Sequence, residues 1–159
     1  MYEETILSRK LKFSGNFDIK SLYEMLWHLF EDTGYPPNEY KMSKSEEASG
    51  EIYEIGIKGE QEYDKYVKGV IDVFIRCDSY REEERLIDGV PKKVKSGNLD
   101  VTVKASVQRD YDNKFEHLPL FLGRLYDTMY GRKYESFKDL TRSAALGFVM
   151  SIKEFLQTK

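Results

Sequence analysis

Two runs of strict alternation dominate the chain between Tyr66 and Arg109. In the first, Val67, Gly69, Ile71, Val73, Ile75 and Cys77 share one face, and Tyr66, Lys68, Val70, Asp72, Phe74 and Arg76 share the other. In the second, Leu99, Val101, Val103, Ala105 and Val107 oppose Asp100, Thr102, Lys104, Ser106 and Gln108. Successive side chains on a strand point to opposite sides, so these runs predict a sheet with one apolar face and one wet face. Helices must cover the apolar face.

The flanking stretches supply the rest of that sheet and its cover. Thr5 to Phe13 alternates and reads as a first strand, closed by a Gly15-Asn16 turn. Asp18 is placed to cap a helix, with Phe17 and Leu22 as its hydrophobic staple. Ile19, Leu22, Tyr23, Leu26, Leu29 and Phe30 form the helix's apolar stripe, widened by Trp27. Gly34 and Pro36-Pro37 end it. Tyr40 to Ala48 reads as a polar edge strand, Ser49-Gly50 as a turn, and Glu51 to Gly59 as a strand with Tyr53, Ile55 and Ile57 on one face. Between the long runs, Asp88-Gly89 predicts a small hairpin with flanks Arg85 to Ile87 and Val90 to Val94. The run Arg81-Glu-Glu-Glu-Arg85 reads as its solvated tip.

From Phe115 the period changes to about 3.6. Phe121, Leu122, Leu125 and Met129 make one helical stripe, Gly131 a break or kink, and Leu140, Ala144, Phe148, Ile152 and Phe155 a second stripe. The expected fold is therefore α+β, in one domain over residues 1–159. A curved antiparallel β-sheet packs on one helix from the N-terminal half and on a long C-terminal helical segment.

Composition narrows the function classes. Signs nearly balance at a net charge of −3, which argues against a general nucleic-acid coat. Cys77 is the sole cysteine, so no internal disulfide forms, and no signal peptide or apolar run of transmembrane length is visible. A soluble, cytoplasmic protein with no membrane span is expected.

Candidate chemistry is sparse. His28 and His117 are far apart and lack ligand spacing, so no metal is implied, and His28 reads as a helix-packing residue. Gly56-Ile-Lys-Gly59 lacks nucleotide-loop spacing; its glycines permit strand bending or close helix approach. No cofactor is implied, and no catalytic residue can be assigned. Cys77 reads as a buried, inert thiol. Arg9 and Arg109 carry inward parity, and a buried arginine needs a carboxylate, carbonyl or ligand anion. One could mark a cavity mouth; alternatively each escapes at a strand end or forms an ordinary ion pair. Ser143, Gly147 and Ser151 fall one turn apart, either letting the helix lie close to the sheet or leaving room for an apolar ligand. On the wet face, Tyr66, Lys68, Phe74, Arg76 and Lys104 interleave aromatics with cations, a pattern that suits a solvated face, a protein dock or RNA.

In element order and length the chain resembles the START/Bet v1-like helix-grip superfamily, whose members often enclose an apolar cavity. Tyr66-Val-Lys-Gly69, Arg109-Asp-Tyr-Asp112, Phe115-Glu116, Pro119, Phe121-Leu122 and Leu125-Tyr-Asp127 also resemble stretches of small archaeal proteins, a likeness that implies a source and no activity. The leading expectation is a non-enzymatic module binding a small apolar or amphipathic ligand between sheet and C-terminal helix, with Arg9, Tyr53 and Arg109 as polar anchors. The alternative is a protein- or RNA-interaction module using the outer sheet face or the helical tyrosines Tyr126, Tyr130 and Tyr134. RNA ranks below protein as its partner.

Overall fold

The computed structural model describes the backbone of residues 2–109 and 120–157, and the side chains of 2–109 and 131–157. The expectations for His117, for the stripe Phe121, Leu122, Leu125 and Met129, and for Tyr126 and Tyr130 lie outside the described side chains. The described residues form an α+β fold with the order β1 (Tyr2–Asn16), α1 (Ile19–Asp32), β2 (Pro37–Glu47), β3 (Gly50–Glu62), β4 (Val67–Ile87), β5 (Val90–Arg109) and α2 (Leu120–Gln157). The five strands make one antiparallel sheet in the order β1-β5-β4-β3-β2. Central β4 and β5 are the two long alternating runs, and β2 is an edge strand, as its lysines and serines suggest.

The apolar parity of β4 and β5 faces the core. Val67, Ile71, Val73, Ile75 and Cys77 are fully buried, as are Val103, Ala105 and Val107. Both helices lie on this face. α1 contributes Ile19, Leu22, Leu26 and Phe30, and Asp18 caps it by accepting from the Lys20 backbone N–H at 3.2 Å. Phe17 and Leu22 are buried together as the staple requires. Gly34, at φ +84°, ends the helix while the Tyr35 N–H donates back to the Phe30 carbonyl at 3.0 Å. Two strand glycines let the cover come close. A Cβ at Gly59 would lie 2.6 Å from both Phe30 Cδ1 and the Tyr35 carbonyl oxygen, and one at Gly69 would strike the Tyr63 hydroxyl.

Several expectations are corrected. The hairpin is longer than its expected flanks: β4 and β5 run 21 and 20 residues and carry it as a continuous arm, offset by a bulge between Asp78 and Arg81. Pairing resumes beyond the bulge with Arg81 opposite Ser96, so the register shifts without ending the strands. Its turn is the Asp88-Gly89 pair, both at positive φ, as a two-residue hairpin demands. Gly15 and Asn16 pair with Gly97 and Ser96 and so extend β1 instead of turning the chain. Helix α2 runs unbroken through Gly131. Its buried stripe is Thr141, Ala145, Phe148, Val149, Ile152 and Leu156, leaving Leu140 exposed. That facing brings the Thr141 hydroxyl under Tyr63, whose hydroxyl sits 2.5 Å away.

Thr141 belongs to a buried relay. Its hydroxyl donates to the Phe137 carbonyl at 2.7 Å, so it accepts from Tyr63, which in turn accepts from Tyr35 at 2.6 Å. Burial and the Tyr63 hydroxyl push the Tyr35 pKa well above the usual tyrosine range. One chain of hydroxyls thus ties the segment after α1 to the β3–β4 connection and to α2, and each bond polarises the next.

Candidate functional site

Recesses of the described surface lie beside α1. The sheet–α2 interface is closed by Phe148, Ile152 and Ala145, all fully buried, with Phe148 edge-on to Phe30 at 4.7 Å. Next to it, Ile19, Lys20 and Tyr23 of α1 face Met42 of β2 and Tyr53 and Ile55 of β3 across an apolar recess of about 240 Å³. Amphipathic α1 sits over the sheet's edge, where β2 is too polar to close the gap, so Met42 remains 52% exposed.

This recess continues into a polar basin. Ile19, Lys20 and Tyr53 line both, and the basin, about 290 Å³, adds Asp18, Glu51, Tyr80 and Lys95. Its groups are held in place. Tyr80, buried, accepts from the Ile19 backbone N–H at 3.1 Å and stacks edge-on with Tyr53 at 5.7 Å. The Tyr53 hydroxyl donates to Glu51 at 2.6 Å. Burial, reinforced by Glu51, pushes the Tyr53 hydroxyl up to about 12. The same hydrogen bond, aided by Lys44 3.6 Å away, holds the Glu51 carboxyl below its usual value. Lys95 lies 3.8 Å from Asp18. Tyr23 donates to Glu39 at 2.8 Å and stacks on Trp27 at 5.9 Å, forming the outer wall. The arrangement can hold an apolar body beside fixed charges of both signs.

The residues expected from sequence scatter. Tyr53 lies in this cleft. Arg9 does not point into the core: it is exposed and donates to the Ser8 carbonyl at 3.2 Å, because β1 is an edge strand and inward parity there does not ensure burial. Arg109 is half-buried where β1, β5 and α2 meet, with its guanidinium carbon 4.7 Å from the Tyr134 ring centre and 5.6 Å from that of Tyr2. Ser143 and Gly147 are exposed on the side of α2 away from the sheet, and a Cβ at Gly147 would touch nothing. Ser151 borders a different, open groove of about 520 Å³ between the helices, lined by Met25, Leu29 and Phe155. His28 is on that rim, exposed and 3.6 Å from Glu31, so it does not pack a helix interface. Cys77 is buried, and burial raises its thiol to about 12.

The outer face differs from the expected patch. Tyr66 is buried: it precedes β4, its N–H donates to Asp64 at 2.8 Å, and it packs with Val67 and Val107. Lys68 is bound to Glu60 at 2.8 Å. Phe74 is half-buried under Lys41, while Arg76 and Lys104 are exposed. Val70, Ser106 and Gln108, of wet parity, are buried. Tyr134 donates to Glu4 at 2.8 Å and is not a free aromatic. Among the described residues no group of three or more His, Cys, Asp or Glu side chains is placed to hold a metal, and no helix is long and apolar enough to cross a membrane.

Met42, Tyr23 and Lys20 were missed by sequence reasoning. Met42 alternates into the inward parity of β2, a signal hidden by the polarity of its neighbours. The chain matches no family model, and a comparison with curated proteins likewise finds no match.

Proposed function

We propose that this protein is a binding module for a small amphipathic ligand, seated between α1 and the β2–β3 edge. One observation carries the reading: an apolar recess and a polar basin share Ile19, Lys20 and Tyr53, so one ligand can meet both. Binding sites combine apolar walls with a few fixed polar groups in this way. The apolar body would lie on Met42, Ile55 and Tyr23, and the polar end would meet Tyr53, Lys20 and Lys95. The reading keeps the helix-grip comparison of a sheet holding a C-terminal helix, with the ligand beside α1 instead of beneath α2. A buried, unreactive Cys77 suits a reducing cytoplasm.

Titration with decanoate, followed by nuclear magnetic resonance at the Met42 methyl, tests this. Saturable shifts confined to Ile19, Tyr23, Met42, Tyr53 and Ile55, and lost in Met42→Asp, are expected. An absence of saturable shifts below the micelle threshold, or shifts centred on Phe148 and Ile152, would refute it.

A second reading, docking of a protein, is supported by the tip of the β4–β5 arm. Leu86 is 77% exposed there, beside exposed Ile87 and Val90.

A further inference from the structure

At the base of the β4–β5 arm a second recess, about 340 Å³, opens between β1, β4 and β5. Its lining is chemically one-sided. Among the described residues it holds the guanidiniums of Arg81 and Arg85, four serines including Ser14, Ser79 and Ser96, and the amide of Asn98, with no carboxylate. The bulge between Asp78 and Arg81 creates the concavity. It sets Ser79 at φ +52°, a backbone conformation rare outside glycine, and brings Arg81 opposite Ser96.

One carboxylate, Glu83, serves both arginines, 2.7 Å from Arg81 Nε and 3.5 Å from Arg85 Nη2. Arg85 is also the cross-strand partner of Lys92. Like charges directly opposite on neighbouring strands are unfavourable unless an anion lies between or beside them. Asn98 is already oriented, accepting from the Ser14 hydroxyl at 2.9 Å and donating to Asp78 at 2.9 Å.

We propose that this recess binds a phosphate monoester. Guanidiniums match phosphate oxygens with paired, charge-assisted donors, and serine hydroxyls supply further ones. A volume near the lower bound of small-ligand pockets, roughly 300 Å³, suits one phosphorylated small molecule or one lipid headgroup. The site stands apart from the amphipathic cleft, with which it shares only Arg81.

Isothermal titration of the full chain with glycerol phosphate, and flotation with phosphatidylcholine vesicles carrying phosphatidic acid, separate the two sources. Saturable binding of the soluble ester, or of the vesicles alone, supports the site and names its source. Arg81→Gln or Arg85→Gln should each weaken binding by about tenfold, the scale of one charge-assisted contact. Arg76→Gln, exposed on the same face but outside the recess, should leave it unchanged, and so should Met42→Asp. Glu83→Gln should tighten binding several-fold by releasing both guanidiniums. No saturable binding of either probe, equal binding of sulfate with equal loss in Arg76→Gln, or no gain in Glu83→Gln would overturn the proposal.

Discussion

Replacing Thr141 by valine tests whether the buried hydroxyl relay holds the fold together. Thr141 is fully buried, and its hydroxyl accepts from Tyr63 at 2.5 Å while donating to the Phe137 carbonyl at 2.7 Å. Valine keeps the β-branched shape, and its helix propensity is close to that of threonine. The Phe137 carbonyl retains its helical N–H partner, so the main loss is the acceptor for Tyr63. A stranded buried hydroxyl costs about 1–3 kcal/mol. The new methyl recovers at most about 0.8 kcal/mol, and less here because it must fit where a hydroxyl made a 2.5 Å contact. A net destabilisation of about 1–2 kcal/mol follows, lowering Tm by about 2–8 °C for a chain of this size. Urea unfolding followed by circular dichroism should show a lower midpoint at unchanged slope. Tyr63→Phe deletes the same bond from the other side, so the double variant should cost clearly less than the sum of the two. A Thr141→Val protein as stable as its parent, or strict additivity with Tyr63→Phe, would refute the relay's role.

Three further outcomes are expected. Gly59→Ala places a methyl 2.6 Å from Phe30 Cδ1 and from the Tyr35 carbonyl oxygen, and should destabilise by about 1–3 kcal/mol in the same unfolding assay; a neutral result would mean that α1 is free to lift. Tyr23, Tyr53, Tyr80 and Tyr134 are each pushed from 10 to about 12, chiefly by burial. A raised tyrosine pKa contributes stability below pH 10 that is lost as pH climbs toward 12, so alkaline unfolding should fall in that window. Spectrophotometric titration showing all twelve tyrosines of the folded chain ionising near 10 would contradict this. Glu4 is depressed below 4.5, chiefly by the Tyr134 hydroxyl, so its contribution is present above that pH and fades below it. The stability gap between parent and Tyr134→Phe should accordingly shrink on acidification, and a gap independent of pH would count against the pairing.

Alternation was legible wherever both faces of a strand had different company. The inward parity of β4 and β5, the capped and stapled α1 with its glycine stop, and the polar edge β2 all follow from local rules of backbone geometry and burial. The α+β class follows from them, because a one-sided sheet needs helices on its apolar side. Parity failed where position in the sheet mattered more than pattern. Arg9 is inward by count yet exposed, since an edge strand has a neighbour on one side only. Tyr66 is outward by count yet buried, since it lies before the strand begins and is turned by Asp64.

Local patterns along the chain therefore set the elements, their apolar faces and the chemistry on offer. The tertiary structure decided which groups meet. It rotated α2 so that Thr141 faces Tyr63 while Ser143 and Gly147 face water, and it fused the hairpin to the central strands through one bulge. It also brought Met42, Tyr53 and Lys20 from three elements around one recess, and Ser14, Arg81 and Asn98 around another. Such juxtapositions depend on helix rotation and strand register. Both are set by the summed packing of many distant side chains, and no local stretch of sequence contains that sum.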